Sequence, residues 1–127
     1  MRFARWVFRV AGLYGIAVVA PMFFMEAQLA PGAVHPVFFY AWVSVGLAWQ
    51  VLFLVLSTDP IRYRPMMLVS VLEKAGAVVA IPWLYLAGRA GGIWLGAAAT
   101  DAVFAVLFIA AHRATRRDPR RLPGPGG

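Results

Sequence analysis

The chain has no cysteine, which excludes disulfides, thiolate metal sites and cysteine nucleophiles outright. Histidine occurs only twice, at His35 and His112, with no two-histidine metal spacing. Neither a phosphate loop nor a dinucleotide fingerprint is present, and there is no serine-nucleophile elbow. No metal and no cofactor is therefore expected, and any catalysis is left to acid–base work by carboxylates. Charge is scarce as well: 13% of the 127 residues are charged, against about 25% in soluble domains. Acidic residues are scarcest, five against twelve Lys and Arg, for a net charge of +7.

Apolar sequence takes the place of these groups. Hydrophobic residues make up 62% of the chain, against about 45–50% in soluble domains, and they fall into four runs. Residues 10–25 carry no charge, and the run extends through Glu26 to Leu29; residues 37–56 carry none; residues 66–87 are interrupted only by Glu73 and Lys74, and residues 93–111 only by Asp101. About 20 mostly apolar residues suffice for a helix to cross a hydrocarbon core. The separating segments, 30–36, 57–65 and 88–92, are rich in Pro and Gly, a turn composition. Because these loops are short, consecutive helices are expected to be antiparallel neighbours. The fold class that follows is all-α: an integral membrane antiparallel four-helix bundle, with helices near 6–29, 37–57, 66–88 and 93–113 and a basic, disordered Pro/Gly-rich tail over 114–127.

The basic residues orient this plan. Arg2, Arg5, Arg9, Arg62, Arg64, Arg113, Arg116, Arg117, Arg120 and Arg121 flank one side, Arg89 stands alone on the other, and Lys74 lies inside a span. By the positive-inside rule both termini are cytoplasmic. The Arg- and Ala-rich composition points to a bacterial inner membrane. The arginines read as orienting charges and contacts for anionic lipid headgroups, with no nucleic-acid role. Arg2 to Arg9 and the small residues at 18–20 resemble a signal peptide, yet the apolar run continues to Met25, so the first helix is expected to be retained. Trp6 and Tyr63 fall at the cytoplasmic interface and Tyr40, Trp42, Trp83, Tyr85 and Trp94 at the outer one, an aromatic belt. Pro21 and Pro82 should kink their helices in the outer half.

Ionisable residues inside a span are costly, so they face the bundle interior, pair, or serve a function. At 1.5 Å per residue, Gln50 lies about 13 Å, Glu73 and Lys74 about 12–14 Å and Asp101 about 16 Å from the cytoplasmic end. Three helices thus place polar groups at one level near the midplane. Glu73 shares a face with Gly76, Ala77 and Ala80, and Asp101 with Ala97, Ala98 and Ala105; small residues allow close approach, so both acids should lie on packing seams. The expected network joins Lys74 to Asp101 or Glu73, helped by Gln50, Ser70 and Thr100. It reads either as a charge-neutralised clip between helices or as a proton or cation relay. Glu26 lies near the outer interface at the end of a glycine-lined face that includes Gly12, Gly15, Val19 and Met22. It is either an isolated interfacial acid or one half of a Glu26–His35 pair at the mouth of a cavity.

The stretch Pro21-Met22-Phe23-Phe24-Met25-Glu26-Ala27-Gln28-Leu29-Ala30-Pro31, followed by His35-Pro36-Val37-Phe38-Phe39, resembles the end of the first helix in the EXPERA group, which includes the sigma-2 receptor and emopamil-binding protein. That resemblance implies a lipid-like or sterol-like ligand with Glu26 as the acid that meets it, and it allows isomerase chemistry. Leu47-Ala48-Trp49-Gln50 and Asp59-Pro60-Ile61-Arg62-Tyr63-Arg64-Pro65 are similar to segments of small bacterial four-helix membrane proteins; this implies the same plan but no activity. Three functions stay open: a module binding a hydrophobic small molecule, which predicts a lateral opening between helices; a small proton-coupled transporter; and a structural or accessory subunit of a larger membrane complex or homo-oligomer.

Overall fold

A computed structural model of the chain describes residues 2–32 and 35–116, and every element among the described residues is helical. Helix α1 covers Arg2–Val19, a 3-10 segment follows over Ala20–Phe24, and α2 is the single turn Glu26–Leu29. Helices α3, Pro36–Thr58, α4, Arg64–Leu86, and α5, Gly92–Thr115, complete the chain. Counting α1 with its 3-10 continuation, four helices of 23 or 24 residues are long and apolar enough to cross a membrane; at 1.5 Å per residue each reaches about 35 Å.

Local chemistry sets the helix ends. Pro36 and Pro65 sit in the first turns of α3 and α4, where a missing N–H costs nothing and a fixed φ favours helix entry. After α4 the chain turns through Gly88 at φ +72, a left-handed conformation that suits glycine. Helix α5 continues to Thr115, past the expected start of the tail at 114; the disorder expected for the rest of that tail falls on residues 117–127, outside the described ones.

The first span departs from the expected single helix over 6–29. Pro21 brings no donor to the ladder, and the backbone shifts to 3-10 geometry, with the Met25 N–H donating to the Met22 carbonyl at 3.1 Å. The expected kink is therefore a break. Pro82, by contrast, lies within an unbroken α4.

Packing is uneven around and along the bundle. Helix α1 packs closely on α3, α4 on α5, and α1 also meets α5. Helices α3 and α4, consecutive in the chain, scarcely touch, which corrects the expectation that all consecutive helices are neighbours. Side chains at the basic end commit α4 to α5 instead. The Arg64 guanidinium donates to the His112 carbonyl at 3.2 Å and to Thr115 Oγ1 at 3.1 Å, placing a cation on the carbonyl end of α5, where the helix dipole favours it.

One hydrophobic cluster dominates, built from Ala4, Val7, Phe8, Ala11, Phe53, Leu56, Met67, Phe108 and Ala111. Phe8 stacks on Phe108 at 4.4 Å, and Phe53 meets Phe108 edge-on at 5.0 Å. These contacts put the start of α1 beside the ends of α3 and α5, so α1 runs antiparallel to both. All of them lie in the half that carries both described ends of the chain, here called the basic end. In the far half the buried apolar residues among the described ones are Phe39, Val43 and Ala98. The α1–α3 seam closes through glycine: a Cβ at Gly12 would stand 2.9 Å from the Gln50 carbonyl oxygen, and one at Gly15 would overlap the Gln50 side chain.

Candidate functional site

Directly on the far side of that apolar cluster lies a group of charges. Lys74, ten positions into α4, is 7% exposed. Its ammonium donates to Asp101 Oδ1 at 2.9 Å and stands 3.6 Å from Glu73 Oε2. That Glu73 oxygen is buried and makes no hydrogen bond. The ammonium also lies over two aromatic faces, 5.5 Å from the Phe53 centroid and 5.9 Å from that of Phe104. A cation so placed is held both by a carboxylate and by ring quadrupoles. With two carboxylates around one ammonium, the cluster carries one acid more than the cation neutralises.

A cleft of about 70 Å³ opens beside this cluster. Tyr14, Gly15 and Val18 of α1, Gln50 of α3, Lys74 of α4, and Asp101 and Phe104 of α5 contribute to its wall, so all four long helices border it. The structure thus brings together Lys74, Glu73 and Asp101, and sets Gln50 on the same cleft.

The expected helpers do not join the ion pair. Gln50 Nε2 donates to the Gly46 carbonyl at 2.9 Å, Ser70 Oγ to that of Met66 at 2.7 Å, and Thr100 Oγ1 to that of Gly96 at 3.0 Å. Each places an N–H or O–H on a carbonyl of its own helix one turn back, the acceptor nearest in the chain. The seam on α4 also differs: Lys74, with Met67 and Ser70, takes the buried face, whereas Gly76 and Ala80 are exposed and Glu73 lies at the edge.

Glu26 and His35 are not paired. Tyr40 Oη donates to Glu26 Oε2 at 2.8 Å, while the His35 ring sets its edge against Phe38 at 6.1 Å. Tyr40 was missed, although positions 26 and 40 are equidistant from the loop centre at 33 and a hairpin brings such positions together. Phe53 and Phe104 were missed too; each lies one turn from a polar residue already noted, Gln50 and Asp101. The bridging role of Arg64 had no local signal beyond its place at a helix start.

Comparison of the chain with protein-family models, with curated proteins and with solved structures gives no match.

Proposed function

We propose that this chain is a multi-pass membrane protein of four spans, with both termini at the cytoplasmic face, and that it acts as a small proton-coupled transporter whose relay is the Lys74–Asp101–Glu73 cluster. One observation carries the reading: an ion pair with a surplus carboxylate stands at mid-span beside a cleft that every long helix borders. Charges inside a span are costly unless they pair or work, and a purely structural clip needs only one acid for its one ammonium. The surplus acid is the group that can take up and release a proton. The cleft has room for a few waters and is far smaller than the roughly 300–1,000 Å³ of sites for drug-sized ligands.

Arg2, Arg5, Arg9, Arg62, Arg64, Arg113 and Arg116, the described arginines at the basic end, support the orientation and suit anionic lipid headgroups. Arg9 lies over the Trp6 ring at 5.8 Å and Arg62 over the Tyr63 ring at 5.6 Å, cation–aromatic pairs at the level where an interfacial belt belongs.

Proton flux tests the relay. The protein is reconstituted into liposomes holding a pH-sensitive dye, and a potassium diffusion potential is imposed. Wild type should acidify the lumen faster than empty liposomes, and Asp101→Asn and Glu73→Gln should bring the rate down to that of empty liposomes. Wild-type flux no greater than that of empty liposomes sinks the reading.

A second reading, a lipid-like or sterol-like ligand, is favoured by the sparse contact between α3 and α4, which leaves the bundle open on one side. Ligand-linked stabilisation rises as RT ln(1 + [L]/Kd). A sterol-like compound that raises the melting temperature of wild type but not of Glu26→Gln would move the assignment to that reading.

A further inference from the structure

The cleft lies between two differently packed halves of the bundle. Toward the basic end it rests on rings: Phe104 forms part of its wall and meets Phe108 at 6.1 Å, and Phe108 is stacked by Phe8 and met by Phe53. Phe8, Phe53 and Phe108, with Met67 and Ala111 beside them, are all 0% exposed. The Lys74 ammonium sits on this layer, over Phe53 and Phe104. Toward the far half the wall follows α1 from Ala11 up to Val19, about 12 Å of rise. There the packing loosens. No residue of α1 after Gly15 and none of Ala20–Phe24 is buried, the Asp101 side chain is 27% accessible, and α1 gives way to 3-10 geometry just beyond Val19.

The wall is also polar enough to hold water. The Lys74 ammonium points one N–H at Asp101 and has two more to offer. Gln50 donates its amide to Gly46, so its carbonyl oxygen, set against Gly15, remains as an acceptor. A buried water needs two to four such partners and about 10–15 Å³, which a 70 Å³ cleft provides.

We infer that this cleft binds water and receives it from the far half alone, the phenylalanine layer being a closed barrier between the ion pair and the basic end. The inference rests on the four-span reading but not on proton movement. It fixes the side from which the Lys74–Asp101 pair exchanges in this conformation, and it makes the aromatic layer the part that has to move before the pair can meet the other side.

The absence of cysteine gives a clean background for the test. Single cysteines are placed at Val18 and Val19 in the cleft, at Ala87 in the far loop and at Thr58 at the basic end, each in the full chain. A membrane-impermeant thiol reagent is then added to right-side-out or inside-out vesicles; it reacts with the hydrated thiolate. The Ala87→Cys and Thr58→Cys variants report which face is which, so a wrong topology shows up separately from a wrong access route. Val18→Cys and Val19→Cys should label from the Ala87 side at least about tenfold faster than from the Thr58 side, a ratio worth about 1.4 kcal/mol of barrier. Adding Phe108→Ala, which removes the ring that Phe8, Phe53 and Phe104 all meet, to Val19→Cys should create labelling from the Thr58 side, with retained labelling from the Ala87 side confirming the fold. Equal labelling from both sides, labelling from the Thr58 side alone, or no labelling from either side overturns the inference.

Discussion

The pairing of Lys74 with Asp101 is the interaction whose removal is most informative. Lys74 is buried among Phe53, Phe104 and its two acids. Taking away its hydrogen-bonded partner leaves an ammonium with only Glu73 at 3.6 Å. Breaking a buried pair from one side costs about 3–5 kcal/mol, whereas replacing both members with apolar groups is often neutral. Asp101 is partly accessible, so the lower end applies: Asp101→Asn should lose about 3 kcal/mol. Lys74→Met with Asp101→Leu should recover most of that loss, the signature of coupled sites. Thermal unfolding in detergent measures all three chains. A double variant that melts at or below Asp101→Asn would mean that the pair itself holds α4 to α5. Recovered stability combined with lost proton flux would separate the chemical role of the pair from its packing role.

At the scale of the helices, glycine position decides what a methyl group does. Gly12 and Gly15 lie where α1 meets α3, and an added Cβ would press on the backbone or side chain of Gln50. Gly76 and Gly96 have nothing within 4 Å of a built Cβ. Overpacking a closed seam costs about 1–3 kcal/mol, so Gly12→Ala and Gly15→Ala should melt earlier than wild type. Gly76→Ala and Gly96→Ala should melt at the wild-type temperature or above it, since alanine favours a helix over glycine by about 1 kcal/mol. Four variants that behave alike would contradict the seam as described. The same contrast shows what the sequence could disclose. Hydropathy located helices α3, α4 and α5 to within two residues at each end, because length and apolarity need no partner. Depth counting put Gln50, Lys74 and Asp101 at one level, and they do share a cleft. The direction each side chain takes was less legible: in helices apolar on all sides, no polar face reveals which side turns inward. Glu73 was therefore set on the seam that Lys74 occupies. Glu26 reads from the sequence either as an isolated interfacial acid or as a partner of His35, its neighbour in the chain, whereas hairpin geometry brings it to Tyr40.

The whole molecule is two unlike halves. The basic half holds the continuous apolar cluster, the stacked rings and the Arg64 bridge from α4 to α5. The far half has few buried apolar residues, a broken first span and a hydrogen bond between Glu26 and Tyr40 that lies in the open. Local opening costs least where few apolar contacts must be given up, and amide exchange reads that cost directly. In detergent, where water reaches both halves, amides of residues 6–11, 50–57 and 104–112 should exchange more slowly than those of residues 40–43 and 96–98, first-turn amides being left out because they have no helical acceptor. The segment Ala20–Leu29 should be fastest of all, since its turns are short and only loosely packed. Position along the helix cannot produce this order by itself, because α1 enters the basic half at its start while α3 and α5 enter it at their ends. Uniform protection along the four helices, or slower exchange in the far half, would contradict a barrier at the basic end. The predicted gradient would instead show that the half sealed by rings is also the rigid one, and that the side from which the Lys74–Asp101 pair is reached is the side that moves.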